Sequence, residues 1–266
     1  MMSSTSVIGP VVITALSLSS RPALGLGTTA ALMFIGGVAL SLTPASRDWI
    51  PEKKEKNQQK LWRDRAIRLL MLEGCFIGFG WGVFDVAIPA FATQEGVQHR
   101  VAWIFATFGI ATVVGGLLGG LVSKRLAPLS ALRRAYILWL IACIPVAFTY
   151  PDWSMALAGA CIGFLGGALQ VFYFEVLEAV RPKGSQTASL GWIWSIEGSF
   201  MALGAAVGGL VSEIFSPRIG LAMLPTMIFC GLIILTIGRG RLSAANDIPT
   251  DEEDLQAIKD ISNEVK

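Results

Sequence analysis

Two carboxylates that interrupt long apolar stretches are the side chains whose chemistry is most informative. Asp85 lies within "GWGVFDVAIPAF" and Glu197 lies within "WIWSIEGSFMALG". An ionised carboxylate in apolar surroundings costs on the order of 3 kcal/mol on insertion scales unless it finds a partner. Each side chain is therefore expected to meet a hydrogen-bond donor, to face a polar cavity or to carry a proton.

An aromatic residue accompanies each acid on the same helix face. Trp81 precedes Asp85 by four residues and Trp194 precedes Glu197 by three, so the members of each pair lie about one helical turn apart. Such pairs could line a cavity for a small solute. The alternatives are a hydrated acid near an outer mouth for Asp85 and a structural hydrogen bond to a neighbouring helix for Glu197.

Further side chains could complete such a cavity. Gln170 and Tyr173 could hydrogen-bond a solute, with packing in the core as the alternative for both. Phe172 and Met201 are expected to give the cavity an apolar wall. The solute would then be small and largely apolar or amphipathic.

The remaining reactive residue types form no catalytic or metal-binding set. The cysteines at positions 75, 143, 161 and 230 fall in apolar stretches without a Cys-x-x-Cys spacing, and we expect them to be buried. His99 is the single histidine and is expected in a loop. The sequence also has no basic patch interleaved with aromatic residues. We therefore expect no enzyme activity, no metal, no cofactor and no nucleic-acid partner.

The distribution of charge indicates a membrane protein. The chain is 53% hydrophobic and 15% charged, with a mean hydropathy of +0.62. Apolar stretches of about twenty residues can cross a hydrocarbon core of ~30 Å at 1.5 Å per residue, and lipid forces each of them to be helical. The sequence thus predicts an all-α, polytopic membrane helix bundle with about eight transmembrane helices. The expected spans are 7–20, 23–43, 69–93, 101–123, 132–150, 154–179, 187–211 and 217–238.

Polar segments divide these spans into blocks. Residues 1–43 hold two spans, and residues 44–68 form a basic linker. Residues 69–242 hold six spans, and residues 243–266 form a polar tail in which "DEEDLQAIKDI" could be a short helix.

Basic residues predict the orientation of the chain in the membrane. If the connections alternate between the two sides, sixteen Lys and Arg residues collect on one side and three on the other. The positive-inside rule then places both termini and the linker in the cytoplasm. Glu73 is expected at that interface, near Arg68. Glu175 and Glu178 lie within about a turn of Arg181 and Lys183, so an interfacial ion pair is expected there.

Glycines spaced one turn apart indicate close helix packing. Small residues let helix backbones approach each other where lipid provides no hydrophobic driving force. The glycines expected at helix–helix contacts are Gly115, Gly116, Gly119, Gly163, Gly204 and Gly208.

The segment "GLVSKRLAPLSALRR" at 120–134 resembles the loop between the second and third helices of each half of a major facilitator superfamily transporter. The usual pattern there is Gly-x-Leu-x-Asp-Arg followed by Gly-Arg-Arg. Gly120, Arg125, Arg133 and Arg134 match this cytoplasmic loop motif, whereas Lys124 stands where the family has an acid.

Other segments resemble the same family in the same order. "SVIGPVV" at 6–12 is similar to its fifth helix, and "LTPASRDWIP" at 42–51 is similar to the end of its sixth. "EVLEAVRPKGSQTASLGWIWS" at 175–195 resembles the connection between helices ten and eleven of actinobacterial-type members. The resemblance implies a chain equivalent to helices five to twelve of a twelve-helix transporter, without the first four.

The resemblance also implies a function. A secondary active transporter moves a small solute across the plasma membrane by alternating access. Proton-coupled efflux is the expected form, with the lipid bilayer, a small-molecule solute and protons as partners. The alternative is a truncated, non-transporting membrane fragment or a binding partner of another membrane protein.

Overall fold

A computed structural model describes residues 22–43, 61–123, 125–182 and 184–247. Over these residues the regular secondary structure is helical throughout, as the sequence predicts. The α-helices are α1 (Pro22–Ser41), α2 (Arg65–Gln94), α3 (Val101–Ser123), α4 (Pro128–Cys143), α5 (Trp153–Val180), α6 (Gln186–Ile214) and α7 (Pro217–Ile237).

Six helical segments, those built on α2 to α7, are long and apolar enough to cross a membrane. They confirm the last six predicted spans. Helix α1 has 20 residues and coincides with the predicted span 23–43. The predicted span 7–20 lies outside the described residues, as does the short helix expected near the carboxyl terminus.

Polar side chains and proline set the points at which the helices begin. Asp64 caps α2, because its carboxylate accepts hydrogen bonds from the backbone N–H groups of Ala66 and Ile67 at 2.8 and 3.0 Å. Helix α2 therefore begins at Arg65, within the segment predicted as linker. Pro128 occupies the first turn of α4, so this helix begins before the predicted residue 132 and ends at Cys143. A 3₁₀ turn, Ile144–Phe148, continues it.

The helices pack as two close pairs with two further helices beside them. Helix α2 packs most extensively on α6, and α3 packs most extensively on α5. Helix α4 packs on α5 and α7, and α7 also packs on α2. Direct contacts between α2 and α3 are few. The two pairs, α2/α6 and α3/α5, therefore leave space between them.

Glycines hold the α2/α6 pair together. A Cβ atom added at Gly78 or Gly82 would overlap the backbone carbonyl oxygen of Glu197 or Met201. From the other side, a Cβ atom at Gly208 would lie 2.9 Å from the Cα atom of Val83. Because the contacting residue numbers rise together, the two helices run in the same direction.

The α3/α5 pair is built in the same way. A Cβ atom at Gly115 would overlap the carbonyl of Phe164, and one at Gly119 would lie 2.8 Å from the Cα atom of Ala168. Gly163 and Gly167 approach Phe108 and Thr112 of α3 as closely. These glycines thus bring the parallel backbones of α3 and α5 into contact.

The chain beyond α7 packs back onto the bundle. Two 3₁₀ turns, Gly238–Arg241 and Ser243–Asp247, follow the helix. Leu242 and Ala245 are fully buried, and the second turn packs against α4 and α5. The segment after residue 242 is therefore anchored to the bundle as far as Asp247.

The opposite end of the bundle is closed by contacts between connections. The Tyr150 hydroxyl donates a hydrogen bond to Glu95 at 2.7 Å, and this contact joins the end of α2 to the α4–α5 connection. The Arg218 guanidinium lies 4.8 Å from the centre of the Phe91 ring and donates to the carbonyl of Ala147 at 3.3 Å. His99 is exposed in the α2–α3 connection, where the sequence places it.

Candidate functional site

A cavity of about 430 Å³ occupies the space between the α2/α6 and α3/α5 pairs, and α4 supplies part of its wall. The predicted site residues Trp81, Asp85, Gln170, Tyr173, Trp194 and Glu197 all line it. They come from α2, α5 and α6, so the first of these helices meets two helices that follow it much later in the chain. Met201 lines the cavity as expected.

Glu73 is the functional candidate that the sequence misplaces. It does not lie at the interface beside Arg68, because its side chain is 3% exposed and lines the cavity. Helix α2 begins at Arg65, so Glu73 lies about 12 Å along it at 1.5 Å per residue, well inside the bundle. The N-cap residue Asp64 was the sequence signal that could have revealed this depth.

Tyr136 fixes the buried carboxylate of Glu73. The phenol of Tyr136 is 1% exposed and donates a hydrogen bond to Oε1 of Glu73. Within the part of the chain that the structure describes, Glu73 accepts no other hydrogen bond from the protein. Its second oxygen is thus left for a group within the cavity.

Glu197 stands across the α2/α6 contact from Glu73. A Cβ atom at Gly74, the residue after Glu73, would lie 3.9 Å from the Cβ atom of Glu197. The next glycine along α2, Gly78, meets the Glu197 backbone. Asp85 lies a further two turns along α2, so the three carboxylates are distributed along one wall.

Aromatic rings of α2, α3 and α4 also line the cavity. The ring centroid of Trp81 lies 5.6 Å from those of both Phe108 and Trp139. Trp139 is held in place because its indole N–H donates to the Ile162 carbonyl at 3.1 Å. Between α5 and α6, the ring centroid of Phe174 lies 6.4 Å from that of Trp194. The cavity is therefore both aromatic and acidic.

Two expectations about side chains other than the acids are wrong. Phe172 does not line the cavity; it is 7% exposed and packs in the core, while its neighbours Tyr173 and Phe174 face the cavity. Phe172 follows Gln170 by two residues, which is about 200° around a helix, so the two side chains cannot share a face. Cys161 is exposed on the outer surface of α5, whereas Cys143 is buried as expected.

The residues of the predicted loop motif lie where α3 passes into α4. Gly120 belongs to the last turn of α3, and Arg125 is exposed in the connection. Arg133 and Arg134 lie in α4; among the described residues the Nε atom of Arg133 is buried without a hydrogen-bond partner, and Arg134 is exposed. Lys124 lies outside the described residues, as does Lys183. Nearby, Arg181 forms the expected ion pair with Glu178, whereas Oε2 of Glu175 is buried without a partner in the part of the chain that the structure describes.

A search against protein-family models matches residues 70–264 to the Major Facilitator Superfamily. The chain belongs to this superfamily. The match covers more than half of the chain. It includes most of α2 and all of α3 to α6, the helices that line the cavity. Membership of the Major Facilitator Superfamily indicates a multi-pass membrane protein of a transporter family rather than an enzyme family.

Curated relatives agree with this assignment. The chain is 28% identical over 215 residues to the "Uncharacterized MFS-type transporter YtbD" of Bacillus subtilis (strain 168), which covers 74% of this chain and 52% of the relative. It is 24% identical over 209 residues to the "Macrolide efflux protein A" of Streptococcus pyogenes, covering 75% of this chain and 49% of that protein. This member of the Major Facilitator Superfamily thus spans about half the length of the curated relatives it matches.

Proposed function

We propose that this chain forms a solute-binding lobe of a secondary transporter that works by alternating access. The observation that supports the proposal is the cavity between the α2/α6 and α3/α5 pairs, which holds three carboxylates inside a bundle of apolar helices. A membrane-embedded acid that lines a cavity marks a path for a solute or a proton. In this superfamily, solute sites lie between packed helix bundles near the membrane midplane.

The proton gradient is the proposed energy source. Glu197 lies in the middle third of α6, and Glu73 lies beside it on α2. A carboxylate enclosed in a cavity can bind a proton from one side of the membrane and release it on the other as access alternates. Export from the cell is the proposed direction, since one curated relative is named as an efflux protein.

The proposed location is the plasma membrane, with both termini in the cytoplasm. The basic residues described at the α3–α4 and α5–α6 connections, such as Arg125 and Arg181, lie at the end of the bundle where α2 begins. The positive-inside rule assigns that end to the cytoplasm. The cavity residue Glu73 would then lie nearer the cytoplasmic side than Asp85.

The test is solute flux into proteoliposomes that contain the full chain. A panel of labelled neutral, cationic and anionic solutes is assayed with and without an imposed pH gradient. We expect at least one solute to accumulate only when the gradient is present, and we expect Glu197→Gln to abolish that dependence. Glu213→Gln is the matched control, because Glu213 is exposed near the end of α6 and does not line the cavity.

Two results would contradict this proposal. If no solute enters faster than it enters protein-free liposomes, the chain does not transport. If Glu197→Gln retains full gradient-driven flux, Glu197 does not couple the proton to transport.

A further inference from the structure

We propose that the cavity selects an organic cation. This inference rests on the proposed transport function and specifies the class of solute that would be transported. The sign of the cavity's charge is the first argument. Glu73, Asp85 and Glu197 line it, and in the described part of the chain no Lys, Arg or His does so. A negative cavity enclosed by a low-dielectric bundle raises the local concentration of cations and repels anions.

The second argument is an unsatisfied acceptor inside the cavity. Glu73 is 97% buried by residue, since its exposed fraction is 3%, and only its Oε1 receives a hydrogen bond from the described protein. Glu73 lines the cavity, so a ligand group, a water molecule or a proton within the cavity can satisfy the oxygen that has no donor in the described protein. An ammonium or a similar cationic centre would also compensate the negative charge of the carboxylate.

The third argument is the aromatic surface that lines the same cavity as the acids. Trp81, Phe108 and Trp139 form a continuous cluster with ring centroids 5.6 Å from Trp81. Tyr136 joins this cluster edge-on, with its ring centroid 5.8 Å from that of Trp139. Aromatic faces attract organic cations through the ring quadrupole, and tryptophan is the strongest of these partners. A hydrophilic inorganic ion would gain little from the same surface.

The arrangement of the side chains and the volume of the cavity favour an organic ion over a small metal ion. In the described residues no group of three His, Cys, Asp or Glu side chains is arranged to hold a metal. A cavity of about 430 Å³ has the volume of a site for a small organic molecule. The acids and the rings together therefore fit a bulky organic cation with an apolar body.

The test compares two ions that have the same shape and opposite charge. Tetraphenylphosphonium and tetraphenylborate are titrated into the purified full chain in detergent, and binding is followed by calorimetry and by quenching of tryptophan fluorescence. We expect the phosphonium ion to bind and the borate ion to bind at least about tenfold more weakly. Glu73→Gln and Glu197→Gln should each weaken phosphonium binding by roughly tenfold, because each removes one negative charge from the wall. Glu213→Gln should bind as the unaltered chain does.

The outcomes separate this inference from the proposed function. Equal or tighter binding of tetraphenylborate overturns the cation assignment, and so does unchanged phosphonium binding in both Gln variants. Gradient-driven flux of a neutral solute, with no phosphonium binding, would sustain transport and overturn the cation class. Phosphonium binding without flux of any solute would sustain the cation site and overturn transport by this chain. The comparison of the two ions uses the unaltered chain, so it remains decisive if a variant fails to fold.

Discussion

The hydroxyl group of Tyr136 is the protein donor on which the burial of Glu73 depends. Both side chains are almost fully buried, so water cannot freely replace the hydrogen bond between them. Tyr136→Phe keeps the ring and removes the donor. We expect it to lower the free energy of unfolding by about 1–3 kcal/mol, the usual cost of leaving a buried acceptor unpaired. Thermal unfolding in detergent, followed by tryptophan fluorescence, measures this loss.

A second tyrosine provides the control for this experiment. Tyr173 also lines the cavity, and in the described residues its hydroxyl makes no hydrogen bond. Tyr173→Phe should therefore leave the unfolding temperature close to that of the unaltered chain. If the two variants unfold at the same temperature, the contact between Tyr136 and Glu73 does not stabilise the bundle.

The titration of Tyr150 tests the contact between the end of α2 and the α4–α5 connection. Its hydrogen bond to Glu95 raises the pKa of the Tyr150 phenol, because ionisation would lose the donated proton and place two negative charges together. A raised pKa means that the contact contributes stability below the phenol's ordinary pKa and loses it as the pH rises through the folded value. Glu95→Gln should lower the pKa of Tyr150 toward its ordinary value.

The measurement for this prediction is the ultraviolet absorbance of the tyrosinate ion during an alkaline titration. Tyr150→Phe identifies the signal, since Tyr136 and Tyr173 are the other two tyrosines of the chain. An unchanged titration of Tyr150 in Glu95→Gln would show that the 2.7 Å contact does not persist in solution.

At the scale of elements, the α2/α6 contact is the feature that a single methyl group can break. A Cβ atom at Gly82 would overlap the carbonyl oxygen of Met201 and lie 2.7 Å from the backbone nitrogen of Ala205. Backbone atoms cannot move aside as a flexible side chain can, so the helices must separate. We expect Gly82→Ala to lower the free energy of unfolding by about 1–3 kcal/mol. Denaturation in mixed micelles measures it.

Gly198 offers a matched substitution on the other helix of the pair. A Cβ atom there would meet nothing within 4 Å. Alanine is favoured over glycine in helices by up to ~1 kcal/mol, so Gly198→Ala should be neutral or stabilising. A loss of stability in Gly198→Ala as large as in Gly82→Ala would mean that the cost arises from helix propensity or lipid rather than from the α2/α6 contact.

Helices and their contacts differ in how far the sequence predicts them. Length and hydropathy predicted the last six spans because lipid leaves the backbone no other way to satisfy its hydrogen bonds. Helix rotation was predictable only where polar residues mark a face, as for Trp81 and Asp85. Gln170 marks the lining face of α5 in the same way, because Tyr173 and Phe174 follow it at helical spacing and Phe172 does not.

At the scale of the whole molecule, the helix pairing that forms the cavity could not be predicted from the sequence, although six of the residues that line the cavity were. It exists because α2 packs on α6 and α3 packs on α5, while α2 and α3 make few direct contacts. This choice of partners depends on glycines in four helices meeting particular carbonyl groups. Tyr136 and Trp139 line the cavity from α4, which packs on α5 and α7, so their place in the site also depends on helix packing.

Orientation is the property of the whole molecule that the distribution of basic residues predicts. Two exposed positions lie at opposite ends of α3: His99 precedes it and Leu126 follows it. In a background without the four native cysteines, each is replaced by cysteine and exposed to a membrane-impermeant maleimide. We expect His99→Cys to be labelled in intact cells and Leu126→Cys only after permeabilisation, because the basic loop around Arg125 stays in the cytoplasm. The Leu126 substitution leaves every basic residue in place, so the variant does not itself alter the orienting charge. Labelling of Leu126→Cys from outside, with His99→Cys protected, would invert the orientation and place Glu73 toward the external side of the cavity.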